Sequence, residues 1–259
     1  MARLSFALCF FCLSFIALPV LAAEPLEIKA DKALEWHRDD QKIIARGNVS
    51  ATQGDASIRS NLMTATYEEG EKENKFIPQT LRAEQNVRIK TPDGTAFGDV
   101  ATYDIKKKVA KLSGKKLRLE ADNLVLSAKK EFRYNIAKGR LYAVGDAKLT
   151  QKTKEGSNTL QADTLSARFV RHNGRNRQLE RMEANGSVII TTPTETITGD
   201  KGFYNRITNQ AELSGNVKVI RGPNTLQGEL ATVDLNTNIS TLSGGESGSS
   251  QVTGTFYPE

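Results

Sequence analysis

Val87–Gly114 reads VRIKTPDGTAFGDVATYDIKKKVAKLSG, and Val188–Gly215 reads VIITTPTETITGDKGFYNRITNQAELSG. Laid over each other at a constant offset of 101 residues, the stretches share Val87, Ile89, Thr91, Pro92, Thr95, Gly98, Asp99, Tyr103, Ala110, Leu112, Ser113 and Gly114, twelve identities in twenty-eight positions without a gap. Chance does not give that agreement. Self-similarity at a fixed period identifies a repeat architecture and takes precedence over any local pattern.

The duplication is itself assembled from a smaller unit. A signature of apolar residue, any residue, small residue, acid or amide recurs seven times: Ile28-Lys29-Ala30-Asp31, Ile58-Arg59-Ser60-Asn61, Ala96-Phe97-Gly98-Asp99, Leu119-Glu120-Ala121-Asp122, Leu160-Gln161-Ala162-Asp163, Ile197-Thr198-Gly199-Asp200 and Leu226-Gln227-Gly228-Glu229. Each is followed by a turn signal, at Gly47-Asn48-Val49, Gln85-Asn86-Val87, Ser113-Gly114, Gly145-Asp146-Ala147, Gly186-Ser187-Val188, Ser214-Gly215-Asn216-Val217 and Ser243-Gly244. Gly, Asn and Asp suit tight turns because they tolerate left-handed backbone. Between these signals apolar residues alternate with period two, as in Leu117-Leu119-Ala121, Val87-Ile89-Thr91 and Val217-Val219, which marks strands with one buried face. Helical periodicity is absent beyond the leader. Charge-rich inserts at Glu68 to Gln79, Lys129 to Lys138 and Arg171 to Arg181 read as loops.

The expected fold is therefore all-β, an elongated antiparallel body of about seven two-stranded repeat units covering 24–245, with a Gly- and Ser-rich flexible tail over 246–259. Such a body leaves an edge strand at each end, and its unpaired backbone groups invite another strand to pair.

Composition narrows the function. The 259 residues are 38% hydrophobic and 25% charged, as in a folded, water-soluble protein. Residues 1–23 read as a cleaved secretory signal: Arg3 opens it, an apolar run from Ser5 to Leu18 follows, and Val20-Leu21-Ala22-Ala23 supplies small residues for cleavage. Both cysteines, Cys9 and Cys12, lie inside it, so the mature chain has no disulfide, cysteine-ligated metal or cysteine nucleophile. Losing Arg3 takes the net charge from +6 to +5. Lys and Arg are spread over almost every unit, aromatics make up only 7%, and the chain is exported, so nucleic acid is not an expected partner.

Leu26-Glu27-Ile28-Lys29-Ala30-Asp31, then Gly47-Asn48-Val49-Ser50-Ala51-Thr52-Gln53-Gly54 and Ile58, resembles the OstA-like repeat of the LptA family of lipopolysaccharide-transport proteins. The resemblance implies a periplasmic β-jellyroll of slot-like section, without a cofactor, whose apolar interior shields the acyl chains of lipopolysaccharide (lipid A). It also implies head-to-tail stacking into homo-oligomers and onto similar jellyrolls, LptC-like at the inner membrane and LptD-like at the outer membrane. By the same resemblance Leu26, Ile28, Leu81 and Tyr103 are acyl contacts. Val49, Ile58, Val87, Ile89 and Phe97 share the pattern, and Met182, Val188, Ile190 and Tyr204 continue it in the second copy. Arg46, Arg59, Arg82, Arg88 and Lys90 either meet anionic sugars at the mouth of the slot or form an ordinary basic surface.

Other motifs read as structure. His37-Arg38-Asp39 imitates a kinase catalytic loop without a nucleotide-binding loop and is expected at a hairpin tip. His172-Asn173-Gly174-Arg175 lies in a polar insert, and Glu68, Glu69, Glu71 and Glu73 lack the spacing of a calcium loop. Asn48-Val49-Ser50, Asn185-Gly186-Ser187 and Asn238-Ile239-Ser240 are glycosylation sequons, of which two coincide with the repeat turns. Two non-enzymatic readings stand: a lipid conduit, or an exported structural or carbohydrate-binding β-module with a fully packed core. A hydrolase has no nucleophile or acid–base constellation behind it.

Overall fold

A computed structural model describes residues 26–69, 76–171, 177–237, 239–244 and 251–257. The leader, Glu71, Glu73, His172 to Arg175 and Asn238 lie outside them. Eighteen strands and no helix occur among the described residues. The chain divides into two compact units, one holding the described residues of Phe15–Asp122 and Ser127–Ala143, the other those of Asn123–Leu126 and Val144–Glu259.

The N-terminal unit contains β1 (Glu27–Lys29), β2 (Ala33–His37), β3 (Lys42–Gln53), β4 (Ala56–Glu69), β5 (Phe76–Thr91), β6 (Gly94–Asp104), β7 (Val109–Ser113), β8 (Leu117–Ala121) and β10 (Glu131–Asn135). β3 to β6 pair antiparallel in chain order; β1 and β2 run along β3, β7 and β8 along β6, and β10 along β7. β9 (Leu124–Ala128) and β11 (Arg140–Thr153) have residues in both units. The C-terminal unit contains β12 (Gly156–Arg171), β13 (Arg177–Thr191), β14 (Thr196–Asn205), β15 (Gln210–Arg221), β16 (Asn224–Asp234), β17 (Ile239–Ser243) and β18 (Thr253–Thr255). β12 to β16 again pair in chain order, with β17 and β18 both along β16.

Five of the expected turns are not turns. Gly47-Asn48, Gln85-Asn86, Gly145-Asp146, Gly186-Ser187 and Gly215-Asn216 sit inside long strands, each as two consecutive residues with positive φ, and at the first, second, fourth and fifth the register shifts in a bulge. Left-handed backbone is needed at a bulge as at a hairpin, so the same residues serve both. Hairpins lie elsewhere, among them those at Gly54, Gly222 and the tip beyond His37, where the His-Arg-Asp tripeptide is expected.

The signature residues have a matching role. Gly98 and Gly199 lie under leucines of the following strand: a Cβ on either would stand 2.8 Å from Leu112 Cδ1 or 2.7 Å from Leu213 Cγ. Asn61, Asp99 and Asp200 are strand residues facing the bulges, and only Asp122, with φ 44°, occupies a turn. Two further expectations are corrected. Lys129 to Lys138 is not a loop throughout, because Phe132 and Tyr134 alternate with Arg133, become buried and make β10. The flanks of the other inserts likewise extend strands β4, β5, β12 and β13. Within the tail, Thr253–Thr255 pairs with Thr225–Gln227 of β16.

Candidate functional site

Cross-strand partners share a face of the sheet, so the ladders assemble rows of side chains perpendicular to the strands. The N-terminal unit has three apolar rows on one face. The first is Ile28–Ala51–Ile58–Ile89–Ala96–Leu119. The second is Leu34–Ala45–Met63–Ala83–Ala101–Leu112–Phe132, and the third Trp36–Ile43–Ala65–Leu81–Tyr103–Ala110–Tyr134. The C-terminal unit repeats them as Leu160–Ile190–Ile197–Val219–Leu226, Leu165–Ala184–Gly202–Leu213–Ala231–Leu242 and Ala167–Met182–Tyr204–Ala211–Val233. Residues 101 apart hold equivalent places: Leu81 and Met182, Ile89 and Ile190, Tyr103 and Tyr204.

The rows differ in coverage. Away from the β2 edge the second row is buried in the N-terminal unit, and Val49, Val87 and Val188 beside the bulges are 0%, 2% and 1% exposed. Val49 and Val87 are packed core, while Val188, equally shielded from solvent, borders a cavity in the C-terminal unit. Ile28, Ile58, Leu81, Ile89, Tyr103, Met182 and Ile190 are half-buried in the flanking rows, while Tyr204 is buried and donates its hydroxyl to Asn209 Oδ1 at 3.3 Å. Leu26 is 52% exposed just before β1. Burial raises the hydroxyl pKa of both Tyr103 and Tyr204, with the Asp104 charge adding to the first shift and Arg206 opposing the second.

Phe97 is not in the interior. Ala96 pairs with Ile89 and Gly98 with Val87, so period-two alternation turns Phe97 to the opposite face beside Arg88 and Arg118. The five cationic candidates also lie on that face, on strands whose apolar residues point the other way. Arg46 is tied to Glu35 at 2.9 Å and Arg82 to Glu84 at 2.9 Å; the His37 hydrogen bond and then Arg46 hold the Glu35 carboxyl below its usual range, and Arg82 does so for Glu84. Arg59, Arg88 and Lys90 are exposed.

Sequence reasoning missed the open edge of the site. Leu34 and Trp36 alternate on β2 in phase with the interior rows, yet they stand 61% and 58% exposed. Trp36 Nε1 donates to the hydroxyl of buried Tyr67 at 2.7 Å, and Arg38 covers its ring at 4.7 Å. The alternation was there to be read, next to the tripeptide that drew attention to His37 instead. In the C-terminal unit a cavity of about 90 Å³ is lined by Leu149, Leu160, Met182, Val188, Ile190 and Tyr204 among others.

The family profile described as LptA/(LptD N-terminal domain) LPS transport protein matches residues 27–140 and again 128–239. The crystal structure of LptH, described as the LptA homologous periplasmic component of the conserved lipopolysaccharide transport device from Pseudomonas aeruginosa, is similar at 14% identity. The alignment covers 91% of this chain and 96% of that one, with a TM-score of 0.23. No curated protein matches.

Proposed function

The chain belongs to the LptA/(LptD N-terminal domain) family of lipopolysaccharide transport proteins, and from that membership we propose that it is a periplasmic, non-enzymatic carrier of lipopolysaccharide. Its leader, residues 1–23, is removed on export, and 24–245 acts as one jellyroll body. The apolar rows shield the acyl chains of lipid A, and end-to-end assembly, among copies and with LptC-like and LptD-like jellyrolls, bridges the two membranes.

The observation that carries this is the unequal coverage of the apolar face. A β-module with a fully packed core has no reason to leave Ile28, Ile58, Leu81, Ile89, Met182 and Ile190 only partly covered on the same face as buried Met63, Ala51 and Leu119. Those flanking rows, with Tyr103, are the acyl contacts; Val49 and Val87 hold the sheet beneath them. Strands lie about 4.8 Å apart, so a six-strand row extends roughly 24 Å. Burying a methylene is worth ~0.8 kcal/mol, so an acyl chain of about a dozen carbons gains roughly 10 kcal/mol. A chain held that strongly is handed from one trough to the next without release into water, which makes continuity between subunits part of the mechanism.

A photo-crosslinking residue placed at Tyr103 or Ile190 should trap lipopolysaccharide, while the same residue at Thr102, on the opposite face, should not. Equal labelling at all three positions, or none at any, would leave a structural β-module in place of a carrier.

A further inference from the structure

Four arginines on the face away from the apolar rows are balanced by a glutamate two residues along their own strand: Arg82 by Glu84, Arg118 by Glu120, Arg133 by Glu131 and Arg181 by Glu183. Arg88 has Lys90 in that place instead. Its partner across the β4–β5 ladder is another arginine, Arg59. Like charges directly opposite each other are destabilising in a sheet. Among the described residues no carboxylate pairs with Arg59, Arg88 or Lys90, and all three side chains are exposed.

The same row continues through Phe97 to Arg118. Arg88 and Arg118 both lean onto the Phe97 ring, at 5.5 and 4.8 Å from its centroid. The duplication shows that this cluster is not a by-product of the fold. At the equivalent ladder positions of the C-terminal unit the row reads Gln161–Ile189–Thr198–Lys218, although the apolar rows on the other face are kept in kind. One unit therefore accumulates uncompensated positive charge around an aromatic ring, and the other does not.

We propose that Arg59, Arg88 and Lys90, with the Arg88 guanidinium seated on the Phe97 ring, form a binding site for a phosphorylated saccharide on the outer face of the N-terminal unit, distinct from the acyl-chain rows. Guanidinium forks grip phosphate oxygens in pairs, the ammonium adds a point charge, and the saccharide sets the spacing at which its phosphates meet them. The proposal rests on the transport reading only for the bearer of the phosphate, which is the saccharide head of lipopolysaccharide.

The test is calorimetric titration of the full chain with the diphosphorylated glucosamine disaccharide that remains when lipid A is stripped of its acyl chains. Wild type should bind it saturably, more weakly as salt is raised. R59Q and R88Q should each bind about tenfold more weakly, the loss of roughly one charged hydrogen bond, and R88K should fall between R88Q and wild type. K218Q, the charge-matched change in the other unit, should bind as wild type does. Binding that persists when crosslinking at Tyr103 and Ile190 fails would uphold this site while removing the transport reading. Unchanged affinity in both R59Q and R88Q would overturn the site, and so would inorganic pyrophosphate binding as tightly as the disaccharide, because the saccharide would then contribute nothing. Thermal unfolding of each variant separates loss of binding from loss of fold.

Discussion

Asp200 accepts the side-chain amide of Asn216 at 2.8 Å, holding the left-handed bulge of β15 against the signature acid of β14. The first repeat makes the same contact between Asp31 and Asn48, at 3.2 Å. The two sequence signals are therefore halves of one device, in which the acid of one strand seats the bulge of the next.

Gly215→Ala should destabilise the C-terminal unit by about 1–3 kcal/mol, because φ is +78° there and a Cβ would stand 2.4 Å from Asp200 Oδ2. Asn216→Ala removes the hydrogen bond and a residue type that tolerates φ 51°, but adds no clash, so it should cost less than Gly215→Ala. Chemical denaturation of both variants checks the order, and a Gly215→Ala protein as stable as wild type would refute it.

Stability and lipid capture should separate between rows. Val87→Ala deletes two buried carbons and leaves a void, so it should cost about 2 kcal/mol without lowering lipid adducts at Tyr103. Ile89→Ser lies two residues away in a half-buried row and should cost less stability but reduce the adducts. Parallel losses in both variants would mean that packing and binding are not divided as described.

Unfolding should be pH-sensitive at both extremes. Glu35, Asp40, Glu84, Asp104 and Asp234 have folded pKa values held down chiefly by hydrogen bonds to His37, Lys42, Arg82, the Lys107 backbone and the Asn236 backbone respectively. Their contribution is present above the ordinary carboxylate range and is lost as pH falls through the lowered values. Tyr103 and Tyr204 are shifted up by burial, so stability falls as pH rises past the ordinary tyrosine value of about 10. Urea midpoints across pH test both limbs. The alkaline limb should shrink in Tyr103→Phe, and an unchanged limb would remove that assignment.

Trp36 is the chain's only tryptophan and stands on β2, whose single ladder among the described residues is with β3. Its emission should be that of a wet indole in dilute solution and should shift to the blue as concentration rises and another copy covers the edge. Leu34→Lys, which places a charge on that edge, should suppress the shift. An emission maximum independent of concentration, with sedimentation reporting oligomers, would move the interface elsewhere.

The sequence alone determined the class, the duplication and the phase of strands whose alternation is clean, such as Leu117-Leu119-Ala121. Period-two alternation is a local property, and twelve identities at one offset require two equivalent units whatever their neighbours do. Tertiary structure decided three things that local pattern leaves open. Gly-Asn needs left-handed backbone in a hairpin and in a bulge alike, and only the partner strand distinguishes them. Phe97 is apolar, but the register that sets Ala96 against Ile89 turns it outward to the arginines. Val87 and Ile89 share one face and one alternation, yet one is packed and the other half-open, because burial depends on which strands and side chains lie over a position, and no single strand carries that information.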